Sequence, residues 1–349
     1  MVTNGDEPST REFIEHIVHA PGRTVTESVR PGKYEAVCSR GIEYEITRQA
    51  VTVTAGKLTQ IAVTLKHSVD TSGWASGDYH LHQANSVDSS LDLDTRVIEA
   101  ASEGLDIACA TDHNFVTDLR PVIARENLEE RLQGMVGLEM TTLESGHFNS
   151  FPLRYDAGQI TKGSFSWHEN TPTEIFEKLR KLGAYGPQNT VVQVNHPRDT
   201  ILGYYNQYNF NSDTGRTEST SDLFLALEGR PFGPDKFNEE YDAIEVFNGK
   251  RFDLLRHYRI PKELPPAPLP ENIPNAGKIL RNDPDDASKG NIAFPGAMDD
   301  WFVLLNQGKK YTGTGNSDSH DSEEEPGSPR TYTPVSNDNP GQINELEIK

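Results

Sequence analysis

Cysteine is scarce: Cys38 and Cys109 are the only two in 349 residues. Two thiols exclude a disulfide scaffold and a four-cysteine zinc module. Both sit in apolar, strand-like contexts, Glu35-Ala-Val-Cys38 and Ile107-Ala-Cys109-Ala, which read as buried free thiols. Positive charge is short as well. Lys and Arg total 33 against 53 Asp and Glu, a formal charge of −20. Duplex nucleic acid and anionic membranes need a cationic footprint, so neither is expected as a partner. No apolar run approaches the ~20 residues of a membrane span. The first residues, Met1-Val-Thr-Asn-Gly-Asp-Glu-Pro, lack the basic and apolar regions of a signal peptide. That suits a cytoplasmic protein, and equally a secreted or periplasmic one whose leader has been removed. There is no Gly-rich phosphate loop, no Ser-His-Asp order and no internal repeat.

Hydrophobic residues make up 34%, with 28 Gly and 22 Pro, a loop-rich chain still long enough to bury a core. Residues 1–20 read as a polar N-terminal segment with a short helix over Thr10–Ala20, where Phe13, Ile14, Ile17 and Val18 recur at helical spacing. Residues 21–70 read as a small antiparallel β-module. Its strands are expected near 23–29, 33–38, 43–47, 50–54 and 58–65, separated by Pro and Gly turns. From 71 to 330 strand and helix signals alternate. Helices are expected over 94–103, 119–132, 172–182 and 297–307, and strands over 105–110, 135–141, 191–194 and 241–247. Thr171 and Pro172 open the third helix as N-cap and first residue. This order predicts an α/β barrel or doubly wound sheet. Residues 199–222 and 261–296 read as long loops, and 331–349 as a C-terminal tail.

Histidine is where the chemistry gathers. Of 11, His80, His82, His113, His147, His196 and His320 fall at predicted strand ends beside polar or acidic neighbours. His80 and His82 are two apart on a strand, so both imidazoles face one way. Independent surface histidines would have no reason to collect at successive strand ends with carboxylates alongside. An all N/O donor set without thiolate suits Zn, Mn or Fe better than Ca or Mg.

The stretches Ser76-Gly-Asp-Tyr-His-Leu-His82, Ala110-Thr-Asp-His-Asn114, Gly137-Leu-Glu139 with Gly146-His-Phe-Asn149, Val192-Gln-Val-Asn-His-Pro-Arg198, Glu245-Val-Phe-Asn-Gly249 and Gly315-Asn-Ser-Asp-Ser-His320 follow one another along the chain. Their order resembles the PHP (polymerase and histidinol phosphatase) superfamily of metallohydrolases, and within it the carbaryl-hydrolase, or CehA/McbA-type, branch. The resemblance spans about 74–322 and implies a distorted (β/α)7 barrel holding two or three divalent ions. It implies that His80, His82, Glu139 and Asp318 bind a first ion. Glu139 would bridge to a second held by His147 and His196. Asp88, His113 and His320 would form a third site, although His82 and Asp88 stand one residue further apart than the family's usual spacing. Asp112, Asn195, Ser317, Glu245 and Asn248 would orient ligands.

The activity implied is hydrolysis by a metal-bridged hydroxide. Small phosphate mono- or diesters are the leading substrate class. An aryl carbamate, ester or amide is the alternative, and a metal-containing binding module without catalysis the third. Arg198 is a candidate for steadying charge on the reacting oxygen, or else a surface Arg paired with one of the many carboxylates. His113 or His320 could protonate a leaving group. A phosphate pocket should present Arg or Lys, and a carbamate pocket aromatics. Phe165, Trp167, Tyr204, Tyr205 and Tyr208 are the candidate aromatic walls. The oligomeric state is not legible.

Overall fold

The computed structural model describes residues 14–22, 24–199, 202–217, 233–251, 254–256 and 296–349. It also describes the backbone course of three short strands at 2–4, 258–260 and 292–294. In chain order the strands are β1 (Val2–Asn4), β2 (Ile14–His16), β3 (Gly32–Cys38), β4 (Thr47–Val53), β5 (Trp74–Leu81), β6 (Ile107–Ala110), β7 (Gln133–Val136), β8 (Leu138–Thr141), β9 (His147–Phe151), β10 (Val191–Val194), β11 (Phe210–Asn211), β12 (Arg216–Thr217), β13 (Ala243–Asn248), β14 (Tyr258–Ile260), β15 (Ile292–Phe294), β16 (Thr312–Asn316) and β17 (Thr331–Pro334). The helices are α1 (Leu93–Ser102), α2 (Arg120–Glu126), α3 (Pro172–Lys181), α4 (Tyr204–Gln207) and α5 (Ala297–Asn306).

The fold is mixed α/β with several sheets. One sheet has the order β17-β5-β6-β7 and another the order β16-β13-β10-β9-β8. β5, β6 and β7 run parallel, with α1 and α2 as crossovers. Val97 and Ala100 of α1 and Val122 and Ile123 of α2 pack on Leu81, Ala108 and Ala110. The alternate residues of β6, Ile107 and Cys109, point the other way. There they meet Met135, Phe151, Val191 and Ala243, so a second core lies between the two sheets. α3 begins with a full capping box between Thr171 and Glu174. It lays Ile175, Phe176 and Leu179 on Phe148, Val192 and Val194.

Among the described residues the sheets do not close into the expected distorted (β/α)7 barrel. Two sheets stand side by side, and the seams between them carry only isolated bridges, Leu81 with Ser319 and His113 with Glu139. The strand order explains why. The run expected over 135–141 breaks at Gly137, and β8 then turns back through a hairpin into β9, with no crossover helix. A hairpin forces antiparallel pairing, which a parallel barrel lacks. Gly137 is wedged at that break: an added Cβ would lie 2.8 Å from Cys109 Sγ and 2.9 Å from the Ala110 carbonyl.

Elsewhere the register departs locally. Ile14–His16 is a strand paired to β1 rather than part of a helix, because an available sheet edge outweighs a weak helical period. Residues 10–13 of that expected helix lie outside the described residues, as does nearly all of the loop read at 261–296. Residues 24–29 of the first expected run, and the run 58–65, form no strand; Leu58, at 80% exposure, has no apolar surface to alternate against. Helix α2 stops at Glu126, capped by Asn127 in the left-handed region. Residues 331–349, set apart above as a tail, supply β17 beside β5 and place Ile343 in the core.

Candidate metal centre

Six strands, or the turns that follow them, deliver donors to one place. β5 ends in His80 and His82. The turn after β6 brings His113 beside Glu139 of β8. β10 leads into His196, and β16 into Asp318 and His320. His147 stands at the beginning of its strand, yet β9 runs antiparallel to β8, so Thr141 and His147 are register partners at the same sheet end.

Glu139 is the hub. Its two oxygens lie 3.3 Å from His80 Nε2, 3.7 Å from His82 Nε2, 2.6 Å from His113 Nδ1, 3.3 Å from His147 Nδ1 and 3.5 Å from His196 Nε2. Asp318 Oδ1 lies 3.3 Å from His80 Nε2 and 3.2 Å from His82 Nε2. Asp88 reaches His113 at 3.1 Å and His320 at 3.4 Å, so the longer spacing from His82 does not keep it away. Four overlapping groups could each hold an ion: His82, Asp88, His113 and His320; His80, His196 and Asp318; His80, His82 and Glu139; and Glu139, His147 and His196.

The donor set fits divalent ions. His80 Nε2, His82 Nε2, both nitrogens of His147 and His196 Nδ1 are buried with no hydrogen-bond partner. Buried polar atoms left so cost free energy unless something else satisfies them. The spacing also fits. Two ligands each ~2.1 Å from a tetrahedral ion stand roughly 3.4 Å apart, and the His80, His82, Glu139 and Asp318 separations cluster there. Two ligand residues also sit in the left-handed region, Asp318 at φ 56° and His196 at φ 24°. Such conformations persist in non-glycine residues where the surroundings enforce them.

A further layer fixes the rings. His80 Nδ1 lies 2.8 Å from Glu245 Oε1, which holds the proton there and turns Nε2 toward the cluster. Glu245 also accepts from His196 N, Asn248 Nδ2 and Asn316 Nδ2. His82 Nδ1 meets Ser86 Oγ, which donates to Asp112. Asn195 donates to Glu139 at 2.8 Å, and Asn248 to Asp318 at 3.0 Å. The Ser317 hydroxyl accepts from Ser319 N, and Ser317 N donates to Asp78.

The electrostatics follow from burial and neighbours. At His80, burial opposes the charged form, but Asp318, Glu245 and Glu139 together raise its pKa well above the usual histidine value. At His113, burial likewise opposes charge, and Glu139 and Asp88 push the pKa up to about 10. Burial dominates at His82, driven down to about 3, and lowers His147. Glu139 and Asp318 resist burial and are held below the carboxylate range by the surrounding imidazoles.

Arg198 is a correction. It is fully buried, with Nε and Nη2 paired to Asp300 at 2.6 and 2.7 Å and Nη2 also on the Phe210 carbonyl. A guanidinium engaged in this way pins the β10 loop to α5 and is not turned to a reacting oxygen. The aromatic walls are also displaced. Tyr204, Tyr205 and Tyr208 are core residues, and Phe165 and Trp167 pack against the same core. Tyr204 donates to the Asn238 carbonyl and Tyr205 pairs with Tyr241.

Two cations escaped the sequence reading. Lys250 and Arg251 follow β13, their backbone N–H groups bound to Asn248 Oδ1. Lys250 Nζ lies 3.4 Å from Glu324, whose other oxygen accepts from His320 N at 2.6 Å. Arg251 pairs with Asp199, which lies 4.0 Å from His196 Nδ1. A basic pair directly after a strand end, in so acidic a chain, was the available signal.

No protein-family model matches the chain, and no curated protein matches it. Among solved structures, one similar chain is a two-domain protein from Bacteroides vulgatus containing a predicted PHP-like metal-dependent phosphoesterase. It is 19% identical, with TM-score 0.39, over 84% of this chain and 67% of that one. Another is a metal-dependent phosphoesterase candidate from Bifidobacterium adolescentis. It is 14% identical, with TM-score 0.35, over 72% of this chain and 90% of that one.

Proposed function

We propose that this chain is a metal-dependent hydrolase of the PHP superfamily, acting on small phosphate mono- or diesters. The observation that carries this reading is the convergence of buried, unpartnered imidazole nitrogens on Glu139 and Asp318 at the spacing of shared ligands. His80, His82, Glu139 and Asp318 would hold a first ion, and Glu139, His147 and His196 a second, with Glu139 common to both. Asp88, His113 and His320 would hold a third. Zn, Mn or Fe suits these donors.

Bound there, divalent ions would polarise an ester oxygen and make hydroxide available near neutral pH. The chain's own groups do the rest. Glu245, Ser86 and Asn195 hold the ligands in orientation. His113 and His320, 3.1 and 3.4 Å from Asp88, would be the groups to protonate a leaving oxygen where the third group holds no ion. Lys250 and Arg251 would meet the negative charge of the substrate.

These cations favour the phosphate ester over the aryl carbamate, whose aromatic walls lie in the core. The −20 charge disfavours long polyanions, so DNA is expected to be a poor substrate. A structural site would be closed around one ion, whereas four donor groups here overlap through Glu139, His80, His82 and His196.

The test is chelation followed by a substrate panel at one salt concentration: p-nitrophenyl phosphate, its bis ester, a naphthyl carbamate and single-stranded DNA. Hydrolysis of the aryl phosphates should vanish with the metal and return with Mn²⁺ or Zn²⁺. Full activity in protein verified as metal-free would sink the reading. A preference for the carbamate would replace the substrate class, and a preference for DNA would overturn the charge argument.

A further inference from the structure

Helix α1 carries an arginine that is wholly buried beside the centre. Asp92 caps the helix by accepting from Thr95 N. Arg96 lies in the next turn, and helical side chains lean toward the helix N-terminus. That direction is back toward the ends of β5 and β16. The guanidinium grips both ends at once through their backbone carbonyls. Nε and Nη2 donate to the His82 carbonyl at 3.2 and 3.0 Å. Nη2 also donates to the Ser319 carbonyl at 3.1 Å, and Nη1 to Ser319 Oγ at 2.8 Å. His82 is a candidate ligand, and Ser319 lies between two others, Asp318 and His320.

The two chain ends are already zipped by backbone. His82 N donates to Ser319 O and Asp318 N to His80 O. These bonds fix the register of the seam, and Ser317 N on Asp78 adds to them. A planar fork that takes both the His82 and Ser319 carbonyls braces the seam from the helix side, and the five fixed donors of Arg allow it where Lys could not. The charge is compensated one turn on by Glu99, 3.2 Å from Nη1 and equally buried.

We propose that Arg96 is a positioning residue for the metal centre, setting the distance between the donors of β5 and those after β16. The His82 and His320 rings stack at 4.0 Å between centroids, and His82 Nε2 stands 3.2 Å from Asp318. Arg96 governs both separations. It has no contact with Glu139, His147 or His196 among its hydrogen bonds, so its loss should be felt unevenly across the centre. This inference rests on the metal-centre reading.

The experiment measures metal bound per folded protein against graded chelator, by elemental analysis, with Mn²⁺ as the only ion supplied. Arg96→Lys keeps the charge beside Glu99 but loses the fork. The pair Arg96→Gln with Glu99→Gln removes both charges together. Ser319→Ala removes one bond of the fork, together with the hydroxyl's own bonds to the Asp321 and Glu324 carbonyls, and serves if the others fold poorly. Two reference variants, His320→Asn and His147→Asn, mark the ions lost from either side. The Arg96 variants should bind the ion class lost in His320→Asn about 10–100-fold more weakly. The class lost in His147→Asn should be unchanged, and Ser319→Ala should show a smaller shift of the same kind. Unchanged affinities, or an equal loss in both classes tracking the melting temperature, would overturn the proposal. Wild-type protein that retains no metal would overturn the metal-centre reading, and this one with it.

Discussion

Glu139 illustrates how one side chain can set the behaviour of a whole site. Five imidazoles face its two oxygens, so neutralising it removes the anion that all of them share. Glu139→Gln should therefore lose more metal than His147→Asn or His196→Asn. Asn195→Ala deletes only the amide that steadies Glu139 and should weaken metal binding about 10–100-fold. Elemental analysis of the purified variants ranks them; a metal count unchanged in Glu139→Gln would rule out the bridging role. The cluster these candidate donors form was legible because each strand-end motif is local: the His80 and His82 pair, the Asp112-His113 step, the Asn195-His196 turn. What lay beyond reach was any partner far along the chain. Arg198 was ambiguous for that reason, since its carboxylate, Asp300, lies 102 residues away.

At the scale of elements, the buried Arg198–Asp300 pair ties the loop after β10 to α5, and the cations at 250–251 sit on the loop after β13. The two therefore predict opposite signatures. Asp300→Asn or Arg198→Met strands a buried charge and should cost about 3–5 kcal/mol of stability. The kcat/KM of the folded fraction should hardly move. Lys250→Ala and Arg251→Ala, on side chains 34% and 27% exposed, should leave the melting temperature nearly unchanged. They should instead raise KM for an anionic ester. Thermal melts beside steady-state kinetics separate the cases, and a stable Arg198→Met with lost turnover would restore Arg198 to the chemistry. The sheets were only half readable. Parallel units β5-α1-β6-α2-β7 follow from alternation of strand and helix signals. The β8–β9 hairpin and the return of β17 to β5 depend on pairings that no local period encodes.

Over the whole molecule, the charge arrangement makes the metal-free protein sensitive to pH in both directions. His80 and His113 are raised in the folded state, His113 to about 10. Their stabilisation is complete below the unfolded value near ~6.5 and fades as pH rises toward 10. His82 and His147 are lowered, His82 to about 3. The unfolded chain takes up protons there first, so stability falls as pH drops below ~6.5. Glu139 and Asp318, depressed when folded, add to the acid loss below ~4. Urea midpoints of the metal-free protein should therefore fall from ~pH 6.5 to ~pH 9, and burial of Glu99, which raises it to about 7, works in the same direction. Added Mn²⁺ should stabilise more at pH 8 than at pH 5.5, where protons compete for the imidazoles. A midpoint that climbs steadily from pH 6 to 9 without metal would contradict this. The pairing of β17 with β5 also has a consequence in time. Thr331 is matched to Gly77, so the sheet carrying His80 and His82 cannot be completed until some 250 further residues have left the ribosome. At ~5–20 residues per second that is a wait of tens of seconds. Its first histidines spend that interval waiting for donors not yet synthesised, and ions can be loaded in full only after translation has passed the last of them.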